Sequence, residues 1–226
     1  MPSRRTNRAR TVSLDRGPSA RRGRSVGRGR AVSFAGALLF CAGIVSFMGI
    51  ITAEALYPAG YSTGQNEISD LGATRQPNSV IHQPSAHIFN AVMIAAGVFT
   101  ILAAYLLFRG FGRKSPAVLI GLFGLGALGV GIFPGNYGNV HALFALLAFI
   151  AGGLAAIIAY TIETAPFRYF SVLLGVVGLA SLLLYMVLGT TSPMAGLGDG
   201  GVERWVAYPV LLWVTGFGGH LMARTR

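Results

Sequence analysis

Six long apolar stretches, separated by short polar connections, constrain this chain more than any motif in it. They cover residues 31–57, 87–108, 116–133, 140–161, 169–190 and 205–223. A hydrocarbon core of about 30 Å requires about 20 helical residues, and only the third stretch is clearly shorter. The pattern predicts an all-α integral membrane protein in which residues 31–226 form a bundle of six transmembrane helices.

The composition agrees with a membrane environment. Of 226 residues, 53% are hydrophobic and 11% are charged. A soluble domain usually carries about 25% charged residues, so most of the surface of this protein must face lipid. The single cysteine, Cys41, excludes an intramolecular disulfide and a cysteine-based metal cluster.

The first thirty residues have a different composition from the rest. They contain ten Arg and one acid, Asp15, with few large apolar side chains. Such a segment cannot bury enough surface to offset its chain entropy, so residues 1–30 are predicted to be a disordered tail. Its charge favours the anionic headgroups of the lipid bilayer as a partner. The tail has no aromatic residues between its Arg residues to stack on bases, which disfavours nucleic acid.

The basic residues also predict the orientation. Of the 18 Lys and Arg residues, only Arg75 and Arg204 fall in the first, third and fifth connections, which lie on the side opposite the tail. Cytoplasmic connections of membrane proteins are enriched in Lys and Arg. The sequence therefore predicts a multi-pass protein of the cell membrane with both termini in the cytoplasm.

Polar residues concentrate at the predicted outer ends of the helices and in the first outer loop. Convergence on one face is what an external binding site requires, although every membrane protein also has a polar cap there. The residues that form this predicted outer-face polar site are Glu54, Asn66, Ser69, Asp70, His87, Asn90 and His141.

The first outer loop contains a predicted single helical turn, with Asn66 as its N-cap and Gly72 at its end. Asp70 lies within this turn, and two roles for it stay open. Its carboxylate could bond to backbone amides and hold the loop together. Alternatively, it could face the outer vestibule as a ligand for an ion or a proton.

Other charged and titratable residues leave further alternatives. Glu54 lies near the outer end of the first helix, where it can reach the lipid headgroups or, if buried, carry a proton. Glu203 and Arg204 could pair with each other in the vestibule. Asp70, His87 and His141 could form a His/carboxylate metal site, although His82 and His87 are five residues apart, a poor spacing for two ligands on one helix. No cofactor-binding motif is present.

Several short motifs resemble the domain-of-unknown-function 998 family of prokaryotic membrane proteins. They are Tyr61-Ser62, the run N-E-I-S-D-L-G at 66–72, Ile88-Phe89-Asn90, and Gly131-Ile132-Phe133-Pro134 followed by His141. The first outer loop carries the most specific part of the likeness. The resemblance implies a multi-span membrane protein, and it brings no agreed activity or catalytic residues.

The favoured interpretation is a non-enzymatic helical bundle that binds a lipid, a protein partner or a solute through the outer-face polar site. The alternative is an intramembrane metal-dependent hydrolase that acts on a lipid with Asp70, His87 and His141. Glycine-rich helices and a polar cap favour the non-enzymatic bundle. The absence of catalytic signature motifs from the sequence disfavours the hydrolase.

The topology can be tested by cysteine labelling. In a Cys41→Ser background, Ser79→Cys should react with a membrane-impermeant maleimide added outside intact cells, since residue 79 belongs to the predicted outer loop. Labelling of Ser79→Cys only after the cytoplasmic side is opened would reverse the predicted orientation.

Overall fold

The computed structural model describes residues 18–110 and 114–224, and it describes the side chains from residue 27 onward within the first of these ranges. Six α-helices occur in this part of the chain: α1 Pro18–Ala55, α2 Ser85–Gly110, α3 Ser115–Ile132, α4 Asn139–Ala159, α5 Phe167–Leu188 and α6 Gly198–Ala223. All six are long and apolar enough to cross a membrane. No strand occurs in the described ranges, and the predicted six-helix bundle is confirmed.

Two helix starts differ from the prediction. α1 begins at Pro18, so the backbone of residues 18–30 is helical instead of irregular as predicted, while residues 1–17 of the predicted tail lie outside the described residues. Proline suits the first position of a helix, and each residue added to an existing helix gains one hydrogen bond. α6 begins at Gly198 instead of residue 205, although its first turn contains three glycines and resembles a loop in sequence.

The helices form a ring in chain order. Each packs against the next, α6 closes the ring against α1, and α4 also contacts α6 behind α5. α5 covers the groove between these two helices. Its outward side chains face the surroundings, as Val187 shows with 71% of its area exposed. A ring of helices with apolar outer faces is the arrangement of an integral membrane protein.

Small residues allow the helices to approach closely. The buried residues of α5 are Ser171, Gly175, Gly178 and Ser181. A Cβ atom at Gly175 would lie 2.6 Å from the carbonyl oxygen of Gly153 in α4. Lipid tails are as apolar as leucine, so association inside a membrane depends on such close packing.

The two ends of the bundle differ. At one end, called here the cap end, the long connection 56–84, called the cap loop, meets the connections 133–138 and 189–197. At the other end, called the tail end, α1 begins and α6 finishes. The cap loop contains a 3-10 turn at Ile68–Leu71. The loop packs against α6, where the amide of Gly201 donates to the carbonyl oxygen of Gly64 at 3.0 Å.

Glycine at position 200 makes this contact possible. A Cβ atom there would lie 1.9 Å from the carbonyl oxygen of Asn66 and 2.8 Å from that of Thr63. These atoms belong to the backbone of the cap loop, which cannot move aside as a flexible side chain could. The first turn of α6 is therefore glycine-rich because the cap loop lies directly on it.

Gly200→Ala should lower the free energy of unfolding by about 1–3 kcal/mol, because the added methyl group overlaps backbone atoms. Gly219→Ala is the matched control, since a Cβ atom at Gly219 meets no atom within 4 Å in the same helix. This control should be neutral or slightly stabilising, as alanine favours helix over glycine by about 1 kcal/mol. Unfolding of both variants in the same detergent measures the difference, and equal stabilities would contradict the close contact.

Candidate functional site

Arg204, near the start of α6, holds the cap end together. Its Nη2 atom donates to the carboxylate of Glu54 in α1 and, at 2.8 Å, to the hydroxyl of Tyr61 in the cap loop. Its Nη1 atom donates to three carbonyl oxygens, those of Thr63 at 2.8 Å, Gly200 at 2.9 Å and Asn66 at 3.0 Å. The guanidinium thus joins α1, α6 and the cap loop. Only 11% of its side-chain area is exposed.

This arrangement decides between the alternatives for two acids. Glu54 is paired with Arg204, so its carboxylate is a structural partner of the cap loop. The sequence suggested that Glu203 pairs with the neighbouring Arg204, but the two side chains do not form an ion pair. It accepts a hydrogen bond from the amide of Ile68 instead. Successive residues of a helix point in directions about 100° apart, which is why these two side chains have different partners.

The 3-10 turn Ile68–Leu71 is capped one residue later than predicted. Its N-cap is Glu67, and Gly72 ends it as expected. The carboxylate of Asp70 accepts from the amide of Glu67 at 3.0 Å and from the side-chain amide of Asn66 at 3.4 Å. Asn66 instead uses its side-chain oxygen to accept from the amide of Ser62, at 2.9 Å. These contacts favour the loop-stabilising role of Asp70.

A cavity, called here the inner chamber, lies between the helices below the 3-10 turn. It offers about 70 Å³ to the centre of a water-sized molecule, which is room for several waters or a short piece of hydrocarbon chain. Its walls are mostly apolar and come from α1, α2, α3, α4 and α6. They include Met93, Phe123, Ala148, Val210 and Leu211.

A second cavity, called here the mouth, lies beside the inner chamber between α4, α5, α6 and the cap loop. It offers about 170 Å³ to the centre of a water-sized molecule. Charged and polar side chains contribute to its wall, among them Glu67, Arg75, Tyr185 and Asp199. The mouth and the inner chamber share the lining residues Ser69, His141, Ala145, Phe149 and Glu203. The two cavities therefore adjoin, and most of the polar lining belongs to the mouth.

His141 stands at the boundary between the cavities. Only 4% of its area is exposed, and its Nδ1 atom lies 2.8 Å from the carbonyl oxygen of Phe133. A carbonyl oxygen can only accept, so Nδ1 carries the proton. In the neutral imidazole the Nε2 atom is then an acceptor, and the described contacts give it no partner.

Two carboxylates of the mouth have partners of their own. Glu67 pairs with Arg75 at 2.8 Å, and Asp199 accepts from the hydroxyl of Tyr185. Burial raises the pKa of Glu67 above its ordinary value. The charge of Arg75 opposes this rise in pKa, while Asp70 and Asp199 add to it. The wall of the mouth thus carries more acidic than basic groups.

The predicted polar site is only partly assembled in this place. Ser69 and His141 line both cavities, whereas Glu54, Asn66 and Asp70 brace the cap loop. His87 is exposed, and Asn90 has a buried side-chain oxygen without a partner in the described region. No three His, Cys, Asp or Glu residues in the described ranges come together as a metal-holding group, so Asp70, His87 and His141 do not form the suggested ligand set.

Sequence reasoning missed Tyr185 and Asp199 and undervalued Glu203. A charged pair at the start of an apolar helix was the available signal for Glu203 and Arg204. Tyr185 sits in a run of apolar residues in α5, and nothing in the pattern separates it from a lipid-facing tyrosine. Only the packing of α5 over the groove brings it to the mouth.

A comparison with protein families identifies the chain. The family described as "Protein of unknown function (DUF998)" matches residues 22–220. The chain belongs to the domain-of-unknown-function 998 family. No curated protein and no solved structure matches this chain. The match begins in α1 and ends in α6, so it includes residues of all six helices. The resemblance to the domain-of-unknown-function 998 family is confirmed.

A separate buried acid lies at the tail end. Glu163 is 3% exposed, and its Oε1 atom accepts from the indole nitrogen of Trp213 at 3.4 Å. Its Oε2 atom is buried without a partner in the described part of the chain. Burial raises the pKa of the Glu163 carboxyl, although Arg224 and Arg168 oppose the rise. Folding therefore favours the protonated form of Glu163 relative to the unfolded chain.

Arg204→Ala should lower the free energy of unfolding by about 3–5 kcal/mol, because it leaves Glu54 and three backbone carbonyls without their donor. Arg75→Ala is the matched control, since Arg75 also pairs with one glutamate but has 66% of its side chain exposed. An exposed pair contributes about 0–1 kcal/mol. Denaturant unfolding of the two variants checks the contrast, and a small loss for Arg204→Ala would show that the cap end does not depend on it.

Glu163 should make stability depend on pH. An acid whose pKa is raised by folding stabilises the folded state at low pH, and this contribution falls as pH rises above its ordinary value of 4.5. Glu163→Gln keeps an oxygen for Trp213 but cannot ionise. The melting temperature of Glu163→Gln should therefore increase relative to that of the wild type as the pH rises from about 4 to about 8. A constant difference across this range would mean that Glu163 ionises freely.

Proposed function

We propose that this protein is a non-enzymatic membrane protein that binds an amphiphile, with the apolar chain in the inner chamber and the polar head in the mouth. The observation that carries the proposal is the shared wall: five residues line both cavities. An apolar space that adjoins one with charged side chains in its wall matches the two parts of an amphiphilic molecule. With the predicted orientation, the head would lie at the outer face of the cell membrane.

The inner chamber suits a hydrocarbon chain because its wall is largely alanine, valine, leucine, methionine and phenylalanine. An apolar chain gains about 0.8 kcal/mol per methylene when it leaves water. A chain that comes from the bilayer gains much less, because lipid is already apolar. Selection of one amphiphile among many therefore rests on contacts with its head.

The arrangement of α5 supplies a route between the bilayer and the mouth. This helix has the smallest buried share of the six candidate spans, 17%, and it packs on α4 and α6 mainly through small residues. The mouth is bordered by Leu182 and Tyr185 of this helix. An amphiphile could therefore enter sideways, beneath α5, without crossing the cap loop.

Binding can be measured on protein in phosphatidylcholine nanodiscs with radiolabelled probes that carry a twelve-carbon chain and either an ammonium or a maltoside head. We expect saturable binding of at least one probe. Ala145→Phe should weaken it by about tenfold or more, because Ala145 lies where the cavities adjoin and a bulky ring there would fill the passage.

Ala91→Phe is the matched control, since Ala91 is exposed on the outer surface of α2. It adds the same ring without touching either cavity, and it should leave the affinity unchanged. Absence of saturable binding for both probes, or equal loss in the two variants, would overturn the proposed function.

A further inference from the structure

We infer that the head group held in the mouth is a primary ammonium. This inference rests on the proposed function and names the class of its ligand: an apolar chain that ends in a protonated amine. The wall of the mouth offers hydrogen-bond acceptors and negative charge, and an ammonium group supplies the matching donors and positive charge.

The unpaired acceptor is the first reason. His141 is 4% exposed, lines both cavities, and has its Nδ1 proton engaged by the carbonyl oxygen of Phe133. Its Nε2 atom therefore brings a lone pair to the boundary of the mouth. An N–H group of a ligand in the mouth can donate a hydrogen bond to this lone pair.

The balance of charge is the second reason. Three carboxylates line the mouth, those of Glu67, Asp199 and Glu203, against the guanidinium of Arg75, which pairs with Glu67. Within the described ranges neither Asp199 nor Glu203 forms a salt bridge. Three acidic side chains face one basic side chain in this wall, so a cationic ligand is favoured in the mouth over an anionic one.

The donors already present strengthen this argument. The hydroxyl of Tyr185 donates to Asp199, and the hydroxyl of Ser69 lies 3.5 Å from the Glu67 carboxylate. These protein donors thus point toward protein acceptors. The rings of Tyr185 and Phe149 also form part of the wall, and aromatic faces attract an ammonium group by about 0.5–2 kcal/mol.

The source of the ammonium is either a membrane lipid with an amine headgroup or a free alkylamine. Both present a primary ammonium to the same acceptors, and they differ because a phosphate and a glycerol separate the ammonium of the lipid from its apolar chains. Phosphatidylethanolamine is the probe for the first source and dodecylamine is the probe for the second.

The test compares four probes with the same twelve-carbon chain in phosphatidylcholine nanodiscs: dodecylamine, dodecyltrimethylammonium, dodecyl maltoside and dodecyl sulfate. Dodecylamine should bind about tenfold or more tightly than the maltoside, and the sulfate should bind least, because charge and N–H donors both favour the amine. The trimethylammonium probe should fall between, since it carries charge but no N–H group.

Glu203→Gln should reduce the preference for dodecylamine while keeping the affinity for the maltoside. Glutamine still offers an oxygen to the amide of Ile68, so the turn can keep its contact. Asp199→Asn, in the exposed first turn of α6, is the second variant and should reduce the preference in the same direction.

The outcomes separate the two proposals. Saturable binding with the same affinity for every head group, or with the highest affinity for the sulfate, overturns the ammonium assignment and leaves the proposed function standing. No binding of any probe overturns both. If binding of dodecylamine falls when phosphatidylethanolamine is added to the nanodisc, the ligand is a lipid headgroup; if it does not, the ligand is a single-chain amine.

Discussion

The burial of one guanidinium governs the cap end of this bundle. Arg204 loses most of its contact with water, and it can do so only because Glu54, Tyr61 and three backbone carbonyls accept from it. Those acceptors come from α1, α6 and the cap loop, so the loop has one position relative to the helices. The preceding residue, Glu203, bonds the amide of Ile68 and holds the turn that covers the inner chamber. Two adjacent residues of α6, Glu203 and Arg204, thus fix the position of the cap loop and of the 3-10 turn that covers the inner chamber.

Such a polar cluster has a natural place at the end of a membrane bundle. Deep in lipid its charges would be expensive, while at the end they can combine partial burial with some access to water. Below it, packing depends on small residues and apolar side chains, which fit any hydrocarbon about equally well. The polar side chains that could distinguish one ligand from another therefore lie between the cap loop and α4, α5 and α6.

The helices could be predicted from sequence because apolar length is a local property, and four of the six predicted spans match observed helices closely at both ends. The first turn of α6 could not, since its glycines resemble a loop until the backbone of Asn66 is placed against Gly200. His141 and Ser69 were predicted site residues and do line the cavities. Tyr185 was not predictable, because its role follows from how α5 covers the groove. His87 was predicted and lies outside the cavities, since position at a helix end does not fix which way a side chain faces.

The most direct test of the adjoining cavities as a binding site is photo-crosslinking in nanodiscs with a twelve-carbon amine that carries a diazirine in its chain. The adducts are mapped by mass spectrometry of peptides. Binding in the adjoining cavities predicts adducts on cavity residues of α4 and α6, such as Phe149 and Val210, that disappear in Ala145→Phe. Adducts confined to lipid-facing residues such as Leu183 and Val187, unchanged in that variant, would contradict it.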